Sequence, residues 1–337
     1  MAARRRKNVH SVDTRSLHEA AALLRRGELV AFPTETVYGL GANALDAKAV
    51  AKIFEAKGRP QDNPVIVHVS DLRMLRKVAD PPPPRARALI ARFWPGPLTL
   101  LLSKKSSLPS SVTAGLDTVA VRMPQGLARD LIRLAGVPVA APSANLSGRP
   151  SPTTALHVAE DFPDVFVLDG GPTKHGVEST VIALEPFPVV LRQGALSEES
   201  LRKTIPGLRH AASTGRLASG SGAFSSKVNG AATSPGTKYT HYAPTRPLTL
   251  FLRKSSLLAY VRAHPKALVL CPTPLAPLFP KQRTLALGSS PEEIARALFA
   301  ALRTRRRGSE LLVLAVPRRG LGRTIMDRLE RAATRIV

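Results

Sequence analysis

Residues 32–68 constrain this chain more than any other stretch. The run FPTETVYGLGANALDAKAVAKIFEAKGRPQDNPVIVH joins an apolar lead-in, a segment of hydroxyls and glycines, a helix marked at both ends and a second apolar run. Residues 29–32 read as a buried strand. Pro33 to Gly41 then reads as a strand-to-helix loop. Asp46 stands at an N-cap position, Val50, Ile53 and Phe54 share one face, and Gly58 sits where the helix should stop. Lys57 and Arg59 therefore leave the helix end as fixed cationic heads, and residues 65–69 begin the next strand. A hydroxyl-rich loop and a Lys-x-Arg pair on one edge of an α/β sheet suit a polyphosphate ligand.

At 337 residues there is room for two domains with sizeable cores. The formal charge of +25 attracts anions such as nucleotides, RNA or a membrane surface, although an arginine-rich composition gives the same number without a partner. No run is apolar enough to span a bilayer. The basic residues 1–7 lack the apolar segment of a secretory signal and read as a short disordered arm. Cys271 is the single cysteine, which excludes an internal disulfide and a multi-thiolate zinc site; following the apolar residues 267–270, it reads as a buried core thiol in a cytoplasmic protein.

In chain order, residues 16–27 read as a helix opened by a Ser16/Glu19 capping box and closed at Gly27. After the central stretch come a short helix at 71–79, a proline spacer at 81–84, a helix at 85–94 and an apolar strand at 98–102. A strand at 118–123 carries Arg122 in an otherwise apolar run, and a charge there requires an anionic partner. A helix at 126–135 and a strand at 137–141 lead to a second hydroxyl-rich loop, Pro142-Ser143-Ala144-Asn145-Leu146-Ser147-Gly148, then Ser151-Pro152-Thr153. A helix at 153–160, a strand at 165–168 and a hairpin of 181–184 with 189–192 follow. Residues 209–233 are rich in Gly, Ser and Ala and read as a linker. Residues 234–244 break that pattern with Lys238, Tyr239, His241 and Tyr242, so they read as an ordered lid or strap. From residue 248 onward, strand and helix signals alternate at 248–252, 255–263, 267–271, 291–302, 311–316 and 322–333, the pattern of a small parallel α/β domain.

The chain carries no Gly-x-x-x-x-Gly-Lys-Ser/Thr loop, no Gly-x-Gly-x-x-Gly after a strand, no Gly-x-Ser-x-Gly elbow and no His-Glu-x-x-His. P-loop ATPases, dinucleotide enzymes, serine hydrolases and zincins all lose ground. Cations and hydroxyls on loops after strands remain, which favours positioning and electrostatic stabilisation over an activated nucleophile.

The motifs PTETVYGLGA, KGRPQDNP, FWPGPLT, VAVRMP, APSANLSGRPSPT and VESTV resemble the YrdC-like domain. SPGTKYTHYAP and GLGRTIMDRLERAA resemble the two-domain Sua5 branch of the threonylcarbamoyl-AMP synthases. The resemblance implies a twisted, open, mixed sheet of YrdC type at 13–208, a linker with a lid at 209–245, and a smaller Rossmann-like parallel Sua5 domain at 246–337, with residues 1–12 left as the arm. It implies formation of threonylcarbamoyl-AMP and pyrophosphate from L-threonine, bicarbonate (or CO2) and ATP, toward t6A at position 37 of tRNA. By the same resemblance Lys57, Arg59, Ser143 and Asn145 carry the reaction. Thr36, His68, Arg122, Ala141 and Ser179 bind threonine, with Arg122 holding its carboxylate. Lys57, Arg59, Asn63, Thr118, Ser143, Asn145, Ser151, Arg192, Tyr239 and Tyr242 bind ATP. Mg2+ would be held through the phosphates rather than by side chains. The family pattern Leu-Arg-Pro-Gly is here Leu191-Arg192-Gln193-Gly194, a departure that bears on the turn more than on the arginine. Downstream t6A transferase proteins are the implied partners.

Other readings stay open beside this one. Arg122 could close an internal salt bridge. The arginines at 303, 305, 306, 307, 318 and 319 form either a solvated face or a weak tRNA or partner contact. An RNA-binding module could use the same charge, but aromatics are only 4% of the chain. A hydrogenase-maturation carbamoyltransferase shares the YrdC-like domain but needs zinc cysteines that a single thiol cannot supply.

Overall fold

The computed structural model describes residues 7–210, 227–228, 231–232 and 242–337. One mixed sheet is built from β1 (Val9–Ser11), β2 (Val30–Pro33), β3 (Tyr38–Asn43), β4 (Val67–His68), β5 (Leu98–Ser103), β6 (Thr118–Arg122), β7 (Val139–Ala140), β8 (Phe166–Asp169), β9 (Thr180–Ala183), β10 (Val189–Arg192) and β11 (Arg209–His210). Their order is β1-β8-β2-β3-β7-β4-β6-β5-β9-β10-β11. Against it pack α1 (Thr14–Arg25), α2 (Ala47–Lys57), α3 (Leu72–Leu75), α4 (Pro84–Phe93), α5 (Ser110–Thr113), α6 (Leu127–Ala135), α7 (Ala155–Asp161) and α8 (Glu198–Arg202). The apolar faces of these helices other than α7 meet Phe32, Val67, Leu98, Leu100 and Val121 in the largest core cluster, while Ala155 and Val158 of α7 pack with Ala31, Tyr38, Leu40 and Val167.

Several local expectations change for identifiable reasons. Residues 33–41 are not a strand-to-helix loop: β2 turns straight into β3 as an antiparallel hairpin, Pro33 pairing with Tyr38 and Val30 with Gly41. The glycines serve close packing rather than a turn, since a Cβ at Gly41 would lie 2.6 Å from the Phe32 ring and 2.7 Å from Val139. The capping box of α1 lies three residues earlier than Ser16/Glu19. Asp13 is the N-cap, Ser16 N–H donates to its carboxylate at 2.7 Å, and Asp13 N–H donates back to Ser16 Oγ at 3.1 Å. Part of the expected arm is ordered as β1, which adds to the sheet edge beside β8. Likewise Arg209 and His210, expected as linker, pair with Val189 and Val190. Within the rest of that linker, β12 (Lys227–Val228) and β13 (Ala231–Ala232) pair antiparallel. The helix α2 is as expected, with Asp46 accepting from Lys48 and Ala49 N–H and Gly58 closing it in the left-handed conformation. β9 and β10 form the expected hairpin.

A second sheet, all parallel, takes β14 (Leu248–Phe251), β15 (Leu268–Cys271), β16 (Thr284–Ala286), β17 (Leu311–Leu314) and β18 (Arg335–Ile336) in the order β16-β15-β17-β14-β18. Both faces are covered, so alternate residues enter different cores. Leu268, Leu270, Leu311 and Val313 point to α10 (Pro291–Leu302) and α11 (Leu321–Ala332). Val269, Cys271, Leu312 and Leu314 point to the side of α9 (Lys254–Ala263). Cys271 is the buried core thiol expected, and burial raises its pKa to about 11. The core around α10 and α11 also takes in Val37, Val177 and Tyr242, so it continues onto the first sheet's loops. Gly176 has φ +72° and lies against α10, where a Cβ would meet Arg296 Cα at 2.4 Å. Among the described residues, no helix is long and apolar enough to cross a membrane.

Candidate active site

The loops at the ends of β2, β4, β6, β7 and β10, together with the segment entering β9, enclose an open hollow of ≈ 660 Å³, solvent at its mouth included. Three clusters of polar side chains build its walls.

The first centres on Arg122. The ladder pairs His68 with Arg122, placing both at the C-terminal ends of two central strands. Arg122 Nε–H donates to Gly96 O at 3.2 Å and Nη1–H to Thr36 Oγ1 at 2.8 Å. Nη2 stands 2.6 Å from Glu35 Oε1, both side chains buried, without hydrogen-bond alignment. The anionic partner that an apolar strand demands is therefore Glu35, which is the internal salt bridge. Thr36 is oriented by Thr34, whose Oγ1 lies 2.7 Å away. His68 is buried, its Nδ1 lacks a hydrogen-bond partner, and burial followed by the Arg122 charge lowers its pKa to about 3, so the ring is neutral.

The second cluster is the loop after β7. Lys57, at the last turn of α2, is buried rather than presenting a free head at the helix end. Its Nζ donates to Ser143 O at 2.7 Å and also to Asn145 O. Burial first, then the Arg59 charge, holds its pKa well below the lysine range. Ser143 Oγ donates to Asn145 Oδ1 at 2.6 Å, and Asn145 Nδ2 donates to Arg149 O at 3.0 Å, so the loop is pinned from both sides. Arg59 lines the hollow, and its guanidinium is steadied by Asn63 O at 3.1 Å and Pro64 O at 2.8 Å.

The third cluster joins both domains. Ser151 Oγ donates to Glu178 Oε1 at 2.7 Å, and Glu178 Oε2 accepts from Arg328 Nε–H at 2.9 Å. Burial alone would raise the Glu178 pKa, but Arg328 and Arg192 outweigh it and bring it to about 2. Arg192 Nη2–H donates to Ser179 O at 2.9 Å and Ser179 Oγ at 3.1 Å, and Ser179 Oγ lies 2.8 Å from Thr99 Oγ1. Tyr242 closes this wall, stacked on Phe299 with ring centres 5.2 Å apart and the Arg328 guanidinium 5.1 Å from its centroid.

Thr36, His68, Arg122, Ala141, Ser179, Arg59, Ser143, Asn145, Ser151, Arg192 and Tyr242 thus meet around one hollow. Lys57 stands behind the loop that lines it. Asn63 is buried outside the lining with an unpartnered Oδ1. Thr118 lies at the exposed start of β6, at the opposite end of the strand from Arg122, and is not among the lining residues. Tyr239 and His241 lie outside the described residues. Glu35, Glu178 and Arg328 are contributors that sequence reasoning passed over, though an arginine in an apolar strand is itself a signal that a buried acid is near. Of the arginines at 303–319, Arg303 departs from the solvated face: its side chain is buried, donating to Pro150 O at 2.6 Å and pairing with Asp161 at 2.6 Å, while Arg305, Arg306, Arg307, Arg318 and Arg319 are exposed, Arg305 pairing with Glu160 and Arg318 with Glu330.

Comparison with known proteins identifies the family. A family model of the Sua5, YciO and YrdC proteins, described as telomere recombination, matches residues 22–194; a second, described as the threonylcarbamoyl-AMP synthase C-terminal domain, matches residues 196–334. The chain is 46% identical to the threonylcarbamoyl-AMP synthase of Pyrococcus abyssi over 93% of each chain. It is 44% identical to that of Bacillus subtilis over 96% of this chain and 94% of the relative. The crystal structure of P. abyssi Sua5 complexed with L-threonine superposes with a TM-score of 0.87 at 44% identity over 98% of both chains. With both domain models matched in order and near-complete coverage by these relatives, the chain belongs to the Sua5/YrdC family of threonylcarbamoyl-AMP synthases.

Proposed function

We propose that this chain joins L-threonine, bicarbonate (or CO2) and ATP into threonylcarbamoyl-AMP, releasing pyrophosphate, for t6A synthesis on tRNA. The observation that carries this is the convergence of the Arg122 group and the Ser143–Asn145 loop, held from behind by Lys57, on a single hollow. Threonine's amine adds to carbon dioxide to give a carbamate. A carbamate oxygen then attacks the α-phosphorus of ATP, the bond from that phosphorus to the β-bridging oxygen breaks, and pyrophosphate leaves. A carboxylate-like nucleophile needs no strong base, so the site's work is to gather anions and hold them in line.

In this reading Arg122, Thr36 and neutral His68 hold threonine, which is supported by the crystal structure of the P. abyssi relative complexed with L-threonine. The loop of Ser143 and Asn145, with Arg59, then takes the triphosphate. Lys57, buried behind it, acts by holding that loop. Mg2+ fits only as a companion of the phosphates: the two carboxylates lining or bordering the hollow, Glu35 and Glu178, are each engaged by an arginine, and among the described residues no group of three metal-ligating acids, histidines or cysteines occurs. It would neutralise phosphate charge. A reducing cytoplasm, downstream t6A transferase proteins and weak tRNA contact complete the proposal.

The test is pyrophosphate release by the purified chain with Mg2+. Release should require ATP, threonine and bicarbonate together. Release that is indifferent to threonine would sink the proposal.

A further inference from the structure

Arg328 is the largest side chain that is fully buried, and it comes from α11 of the second domain. Its guanidinium touches no surface. It spans from Gln193 O, at 2.7 Å from Nη2, to Glu178 Oε2, at 2.9 Å from Nε, and also pairs with Asp327. Burying a cation so completely is costly unless its partners are fixed in return. What it fixes here is the far oxygen of a carboxylate whose near oxygen accepts from Ser151.

We infer that Arg328 is a positioning residue for the nucleotide: by holding the Glu178 carboxylate it obliges the Ser151 hydroxyl to donate inward, leaving that oxygen's lone pairs as an acceptor toward the hollow. A hydroxyl has one proton to give. While Glu178 is ionised, that proton is committed, so Ser151 can recognise only a ligand group that donates. On a nucleotide those donors are the ribose hydroxyls and the adenine amine. Ser151 and Glu178 both line the hollow, so the acceptor is available there. The groups facing Glu178 are Arg328 from α11, Arg192 from β10, Ser151 from the loop after β7 and Tyr242 at the entry to the second domain, with Asp327 beyond Arg328. The two arginines keep the carboxylate ionised across the physiological range, which agrees with the lowered Glu178 pKa. The inference rests on the nucleotide reading of the hollow.

Calorimetric titration of ATP into the full chain tests it, at pH 5.5 and 7.5, for the unaltered protein and for Glu178→Gln, Ser151→Ala and Arg328→Gln. The amide introduced by Glu178→Gln keeps its oxygen on the Arg328 Nε–H and turns its NH2 to Ser151, which reverses the hydroxyl's polarity at constant volume. Glu178→Gln and Ser151→Ala should each weaken ATP about tenfold at both pH values, the worth of one hydrogen bond, with threonine affinity unchanged. Arg328→Gln should bind ATP about tenfold more weakly at pH 5.5 than at 7.5, because Glu178 is then free to protonate. In the unaltered chain, one of 2′-deoxy-ATP, 3′-deoxy-ATP and inosine triphosphate should show a similar loss that vanishes in Ser151→Ala. ATP affinities within twofold of the parent in the two isosteric or small replacements, or a loss in Arg328→Gln that is equal at both pH values, would overturn the inference. Failure of the unaltered chain to bind ATP at all would instead overturn the nucleotide reading. If Arg328→Gln does not fold, Glu178→Gln and Ser151→Ala decide alone.

Discussion

His68 shows how a single residue is tuned by its surroundings. It is enclosed on a two-residue strand beside Arg122, and both burial and the neighbouring charge oppose a second proton. Its folded pKa, about 3, lies below the ordinary 6.5. Between those values the unfolded chain binds the proton and the folded chain does not, so stability is fully present above pH 6.5 and is lost as pH falls. The loss is about 1.4 kcal/mol per pH unit through that window. Urea unfolding from pH 7 to 4.5 should therefore show a steeper acid decline for the parent than for His68→Gln; parallel curves would refute the assignment. The residue scale is also where the sequence was most and least informative. Arg122 could be singled out because its neighbours on β6 are apolar, yet the identity of its partner, Glu35, depends on a hairpin turn that brings residues 87 positions apart together. Lys57 stood out at the helix end beside Gly58, but that its Nζ faces the carbonyls of Ser143 and Asn145 rather than open solvent was not legible.

At the scale of elements, helix ends and apolar strands could be read from local chemistry, as Asp46 and Gly58 on α2 illustrate. What local chemistry could not supply was the reason for a glycine. The pair at 39 and 41 looks like turn material, yet both pair with β2 as strand, and Gly41 is required by the closeness of Phe32 and Val139. The loop carrying Gly176 offers a direct check on such reasoning. Gly176→Ala meets both a left-handed backbone and the main chain of α10, whereas Gly58→Ala, at φ +57°, meets nothing within 4 Å. Denaturant unfolding should show a loss of about 2–4 kcal/mol for Gly176→Ala and about 1–2 kcal/mol for Gly58→Ala. Equal losses would mean that α10 does not press on that loop.

For the whole molecule, the site belongs to both domains. The first supplies most of the hollow, and the second buttresses it from behind, with Arg328 against Glu178 and with Arg303 against Pro150 and the end of α7 at Asp161. The net charge of +25 is thus partly internal scaffolding, which a count of arginines could not distinguish from a surface field. Strand order in the large sheet was equally hidden, because neighbours such as β5 and β9 are separated by several other elements. The central claim is that threonine and nucleotide share one enclosure lined by fixed cations and hydroxyls. A crystal structure with L-threonine and a non-hydrolysable ATP analogue tests it most directly. The threonine carboxylate should lie within hydrogen-bond distance of Arg122 and the phosphates against the Ser143–Asn145 loop, with the threonine amine facing the α-phosphate; ligands found on separate faces, or threonine seated away from Arg122, would contradict it.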